Sequence, residues 1–207
     1  MTRPLAHFLH IGKTGGTAVR AALAPFETTH RLCLHGHGFT LRDVPRDETA
    51  FFFLRDPASR FVSAFNSRLR QGRPRWDRPW SAEEQWAFQR FGTPNDLAEA
   101  LGSGEADRAM AGIRHVNAGY ADWLVSAPYA LSRNLAFVGR QERLDADFEV
   151  LKAALGLPDL ELPTDPVARH ATPAGLSTHL SKEGRERLRA WYAPDYVLLE
   201  VLCPQGL

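Results

Sequence analysis

Six consecutive residues near the start of the chain, Gly12-Lys13-Thr14-Gly15-Gly16-Thr17, are of the types that hold a phosphate or a sulfate. Glycine lets the backbone turn tightly and bring its N–H groups up to an anion. Lys13 adds a mobile full charge, and the hydroxyls of Thr14 and Thr17 add donors. Before the six, Leu5 to Ile11 is apolar and reads as a strand. After them, Ala18 to Leu23 reads as a helix, whose first turn offers unpaired N–H groups and a partial positive charge. Two widespread nucleotide loops do not fit. Walker A has four residues between its first glycine and a closing Gly-Lys-Ser/Thr, whereas here the lysine precedes the glycine pair. The dinucleotide fingerprint G-x-G-x-x-G is missing too. On this segment alone, a plain strand–turn–helix with a surface lysine fits as well.

A second group lies further on. Ala50 to Leu54 is continuously apolar and aromatic, the pattern of a buried parallel strand. Asp56 suits the cap of a following helix, Pro57 its first position, and Phe61, Ala64, Phe65 and Leu69 its apolar stripe. Arg55 leaves the end of the strand, and Ser63 sits two turns into the helix. A guanidinium fork matches phosphate geometry and a hydroxyl adds a neutral donor. Taken singly, Arg55 could pair with Asp56 or another carboxylate, and Ser63 could be a small packing residue. Between the two groups, Leu34-His35-Gly36-His37 follows a strand expected over Thr28 to Leu34. Imidazole, with an unperturbed pKa of about 6.5, suits a general base. No cluster of cysteines or carboxylates adjoins the two histidines in sequence to complete a metal shell. The ranking is base first, surface histidine second and metal last.

Together these residues resemble the sulfotransferases that use 3′-phosphoadenosine 5′-phosphosulfate (PAPS). The likeness is greatest to the carbohydrate branch, which includes the heparan and uronyl 2-O-sulfotransferases. His10-Ile11-Gly12-Lys13-Thr14-Gly15-Gly16-Thr17 is similar to that branch's 5′-phosphosulfate loop, which usually reads His-Ile-Pro-Lys-Thr-Gly-Gly-Thr; Gly12 replaces the proline and keeps every donor. Arg55 and Ser63, eight residues apart, resemble the family's 3′-phosphate site. His35-Gly36-His37 resembles the segment that supplies the base. Phe137-Val138-Gly139-Arg140-Gln141-Glu142 and Asp195-Tyr196-Val197-Leu198-Leu199-Glu200 resemble a late strand and the terminal helix.

The resemblance implies an α/β fold, a P-loop-like parallel sheet flanked by helices, in one sulfotransferase domain over 1–207. It implies PAPS as co-substrate and no metal. Lys13, Thr14, Gly15, Gly16 and Thr17 would hold the phosphosulfate, with Lys13 also catalytic. Arg55 and Ser63 would hold the 3′-phosphate, and Arg169 would reach over from a late loop. His35 or His37 would take the acceptor's proton, with His35 preferred because it directly ends its strand. The acceptor would be a hydroxyl of a glycan or glycolipid. Two rivals from other classes are an atypical nucleotide kinase and a non-catalytic module that binds nucleotide or glycan.

Composition narrows the field. A length of 207 residues suits one sizeable core, and a formal net charge of +1 gives no general bias toward nucleic acid. No stretch approaches the ~20 apolar residues of a membrane span. The start is too short and polar for a signal peptide, and Cys33 and Cys203 are too few for a disulfide framework, so a cytoplasmic, bacterial protein is expected. Helices are expected from Ser81, from Thr93, over Asp145 to Leu155, over Ser181 to Tyr192 and over Asp195 to Leu202, with a fourth strand at Asn134 to Gly139. Residues 71–130 match no motif and are expected to carry acceptor specificity. At their edge, Arg68, Arg70, Arg73, Arg75 and Arg78 interleave with Trp76 and Trp80. A glycan groove would use such residues, but a solvated helix end with inward tryptophans ranks slightly ahead.

Overall fold

The computed structural model describes residues 4–165, 167, 173 and 175–204. Among the described residues, four strands form one sheet: β1 Ala6–Phe8, β2 Leu32–Leu34, β3 Thr49–Leu54 and β4 Leu135–Arg140. Their order is β2-β1-β3-β4, and every neighbouring pair is parallel. Parallel strands require crossover connections, so this is the α/β architecture expected from the alternating pattern. The helices are α1 Gly16–Leu23, α2 Pro57–Leu69, α3 Ala82–Phe88, α4 Pro94–Glu99, α5 Gly104–Gly112, α6 Ala121–Leu124, α7 Ala127–Leu131, α8 Leu144–Leu155, α9 Lys182–Trp191 and α10 Ala193–Leu202. No helix among the described residues is long and apolar enough to cross a membrane.

The chain divides into two compact units. The first runs to Arg55, resumes at Tyr120 and takes up the chain again from Val197. Its core follows from strand alternation: Ala6, Phe8, Leu32, Leu34, Phe51 and Phe53 meet Val19 and Leu23 of α1 and Phe148 and Leu151 of α8. His7 and Cys33, set between those residues along β1 and β2, belong to the opposite face. Gly139 is required here, because a Cβ on it would sit 2.5 Å from Cε1 of Phe53.

The second unit runs from Asp56 to Gly119 and takes up the chain again up to Tyr196. Its core joins Phe61 and Phe65 of α2, Leu97 of α4, Ala109 and Met110 of α5 and Leu188 of α9. Local signals start its helices as expected. Asp56 accepts from the Ser59 N–H at 2.7 Å, and Ser81 with Glu84, like Thr93 with Asp96, forms a capping box. Within this core Arg60, almost wholly buried, donates to Asp195 at 3.1 Å and to the Ala118 carbonyl.

Three elements differ from expectation. β1 is short because the Ile11 N–H turns back to the Leu9 carbonyl at 3.0 Å, which starts the loop early. β2 begins at Leu32 because Thr29 and His30 both donate to the Phe26 carbonyl, closing a turn. α5 carries no strong apolar stripe in sequence; Ser103 caps it by accepting from the Ala106 N–H at 3.2 Å.

The Arg60–Asp195 pair generates a stability prediction. Asp195→Asn leaves a buried guanidinium short of its counter-charge, so it should lower unfolding free energy by about 3–5 kcal/mol. Replacing both partners by apolar residues of similar volume should restore most of the loss. Urea unfolding of the single and double variants checks this; a single variant within 1 kcal/mol of wild type, roughly the worth of a surface pair, would refute it.

Candidate active site

The glycine turn leaves the carboxyl end of β1, where parallel sheets present their sites. Two of its residues are left-handed, Lys13 at φ 69° and Gly15 at φ 84°. Glycine adopts this freely, whereas a lysine held there stores roughly 1–2 kcal/mol and needs surrounding bonds to keep it. The Thr14 hydroxyl donates to the Ile11 carbonyl at 3.0 Å, and Nη1 of Arg55 donates to the Lys13 carbonyl at 3.4 Å. Thr14 therefore spends its hydroxyl on the loop, contrary to the expectation of a hydroxyl donor for the anion. No side chain caps α1, whose N-cap is Gly15, so the first turn of the helix can serve an anion with its backbone N–H groups.

His10 forms the floor of this loop. It is 9% exposed, and its ring lies 5.9 Å from that of Phe8 and 4.0 Å from that of His37, centre to centre. Burial first, and then His37, Arg20 and Lys13, push its imidazole down to about 3. His10 is therefore neutral at physiological pH. Gly16 lies against it, since a Cβ there would be 2.4 Å from Cδ2 of His10.

The two histidines of the His-Gly-His segment are held differently. Nδ1 of His37 is 2.7 Å from the His10 carbonyl, which can only accept, so Nδ1 carries the proton and Nε2 is the acceptor nitrogen of the neutral ring. The backbone carbonyl of His37 accepts from the Trp123 indole at 2.8 Å. Nε2 of His35 instead lies 2.9 Å from Nδ1 of His7, whose Nε2 lies 2.5 Å from a Glu48 carboxylate oxygen. Because that carboxylate accepts, His7 donates from Nε2 and accepts at Nδ1 from His35. Burial, and then His7, lower the His35 pKa, so this ring too is neutral. Cys33 joins the group: its sulfur and the facing nitrogens of His7 and His35 lie within 4.8 Å of one another. The absence of a neighbouring cysteine, used above to set a metal aside, does not hold in three dimensions.

Arg55 follows β3, and Tyr120, fully buried, fixes its backbone by accepting from the Arg55 N–H at 2.9 Å and donating to the Arg55 carbonyl. Ser63 lies on α2, half-buried, in the second unit. Arg169 lies outside the described residues. The arginine–tryptophan run splits in two. Arg68 is buried on Glu84 with two bonds of 2.6 Å, and Trp80 donates to the Arg68 carbonyl at 2.7 Å, so both are structural. Trp76 is 52% exposed, with the Arg75 guanidinium 5.4 Å from its ring centre. His7, His10, Glu48 and Tyr120 were not singled out from the sequence; only His10, adjoining the glycine turn, carried a local signal.

The Gly16 contact generates a prediction. Gly16→Ala should cost about 1–3 kcal/mol, because the added methyl must displace a well-packed imidazole. Gly36→Ala, which meets nothing within 4 Å, is the control. Thermal unfolding of the two variants compares them, and equal stabilities would show that the floor yields freely.

No curated protein and no solved structure matches the chain. A family model, the sulfotransferase family, matches residues 7–200. The match takes in the glycine turn, both histidines, Arg55 and Ser63, and spans the parallel sheet on which the turn is mounted. The chain belongs to the sulfotransferase family.

Proposed function

We propose that the protein transfers the sulfuryl group of PAPS to a hydroxyl of a carbohydrate acceptor, releasing 3′-phosphoadenosine 5′-phosphate. The observation that carries this reading is the bond from Arg55 to the Lys13 carbonyl. It joins the glycine turn after β1 to the cation after β3, at the carboxyl ends of adjacent parallel strands. A donor with phosphate at both its 5′ and 3′ positions needs two anion sites on such an edge.

The acceptor oxygen attacks sulfur as the bond from sulfur to the 5′-phosphate oxygen breaks, and the electron pair stays on that phosphate. Positioning and charge stabilisation dominate such in-line transfers. Lys13 meets the charge developing on the leaving oxygen, and the N–H groups of Thr14 to Thr17 hold the phosphosulfate. Arg55 and Ser63 bind the 3′-phosphate, and Arg169 adds a contact from its loop. The hydroxyl proton passes to a histidine. His35 comes first by position, but the hydrogen bonds favour His37, whose acceptor nitrogen is set by an anchor on the loop itself. Residues 71–130 choose the acceptor, with Trp76 and Arg75 available to a sugar ring and its acids. Two unpaired cysteines suit a reducing, cytoplasmic setting.

Isothermal titration with 3′-phosphoadenosine 5′-phosphate, ADP and ATP tests donor choice. The 3′-phosphorylated nucleotide should bind tightest, and Arg55→Ala should weaken it at least about tenfold, from loss of a charge-assisted bond of ~1.5–3 kcal/mol, while weakening ADP clearly less. Ser63→Ala should act in the same direction and less strongly. Equal wild-type affinity for ADP and its 3′-phosphorylated form would sink the assignment.

Turnover with labelled PAPS and a panel of glycans tests the base. His37→Gln should lower kcat by about 10²–10⁴-fold and remove the acid limb of the kcat/KM profile, since the acting imidazole must be neutral. His35→Gln should retain that limb. The opposite pattern would return the role to His35.

A further inference from the structure

The proposed reaction leaves one cluster of potential ligands unused. We propose that Nδ1 of His7, Sγ of Cys33 and Nε2 of His35 form a site for a divalent transition metal of the zinc type. The site stands whether or not the chain transfers sulfate.

The sheet builds it. His7 and Cys33 are direct partners in the β1–β2 register, so they share a face, and His35 lies two residues beyond Cys33 along the same direction. The three donor atoms lie within 4.8 Å of one another. The imidazole nitrogens are 2.9 Å apart. Two nitrogens bound tetrahedrally to zinc at ~2.0–2.1 Å stand about 3.4 Å apart, so an opening of roughly half an ångström admits the ion. His7 is 5% exposed, and the Phe39 ring stacks on His35 at 3.4 Å, so one flank is apolar.

A second observation points to a ligand. Glu48 accepts from Nε2 of His7, which fixes the tautomer and turns the lone pair of Nδ1 toward the cluster. A carboxylate behind an imidazole in this way is the usual support of a metal-bound histidine. Charge agrees: the Glu48 carboxylate is bonded to His7, and the Glu27 carboxylate accepts from the Leu34 N–H at 2.9 Å, one residue from Cys33, and both negative charges favour a cation. Two imidazoles and a thiolate select zinc-like ions over magnesium or calcium. Three protein donors leave a fourth position for water. Binding releases the Cys33 thiol proton to water as the metal–sulfur bond forms, and His35 shifts its ring proton from Nε2 to Nδ1 so that Nε2 offers a lone pair, with no change of oxidation state.

The test uses the full chain, reduced and freed of metal by chelation, titrated with Co²⁺. One equivalent should produce a thiolate-to-cobalt charge-transfer absorption with the visible bands of a tetrahedral ion, and Zn²⁺ should displace it. Cys33→Ser should abolish the charge-transfer absorption. His7→Gln and His35→Gln should each weaken binding at least about tenfold, and Glu48→Gln about 10–100-fold. Cys203→Ser should leave it unchanged. The wild type also supplies a variant-free readout: one equivalent of Zn²⁺ should protect Cys33 from alkylation, read by mass spectrometry with Cys203 as the internal comparison. Absence of the thiolate absorption in the wild type, its survival in Cys33→Ser, or alkylation of Cys33 unchanged by Zn²⁺ overturns the proposal.

Discussion

The pairing of β1 between β2 and β3 is the constraint on which the candidate site rests. Its three residues have parallel partners on both sides, and the ladder continues past its end through bonds from Leu9 to Phe51 and from His35 to Phe8. That places the glycine turn, the start of the His-Gly-His segment and the end of β3 along one edge of the sheet. A one-residue slip of β2 would put Cys33 on the core face in place of Leu34 and undo both apolar packing and the histidine cluster. The burial of Leu32 and Leu34 in the core of the first unit resists such a slip.

Electrostatics then sorts the histidines. His10 sits beneath the loop with Lys13 and Arg20 in range, so a second positive charge there would be opposed by both burial and neighbours. It serves as a neutral spacer whose carbonyl orients His37. His35 is neutral for a related reason, with burial foremost and His7 next. His7 and His37, the other two imidazoles at this end of the sheet, are held by hydrogen bonds, His7 to Glu48 and His37 to the His10 carbonyl.

Local signals carried far in the sequence. The glycine turn, the Asp56 cap and the helix starts at Ser81 and Thr93 depend on neighbours a few residues away, and all lie where expected. The strand ends were less legible, since a single turn-closing bond at Ile11 or His30 decides them. Least legible were contacts set by register. Nothing in the spacing of His7, Cys33 and Glu48 reveals that strand pairing gathers them around His35. Tyr120 was hidden for the same reason, since it meets Arg55 across 65 residues of chain. Arg68 and Trp80, read as part of a mixed surface run, proved to be held by Glu84 and by backbone.

That hydrogen-bonded clasp has an evolutionary consequence. The excursion from Asp56 to Gly119 begins and ends at residues whose neighbours, Arg55 and Tyr120, are bonded to each other within the α/β unit. The excursion is thus a cassette with its two ends tied together. Its sequence and length can drift while the guanidinium of Arg55 keeps its station beside the loop. A lineage could diversify what the cassette does without having to rebuild the edge of the sheet that carries the glycine turn.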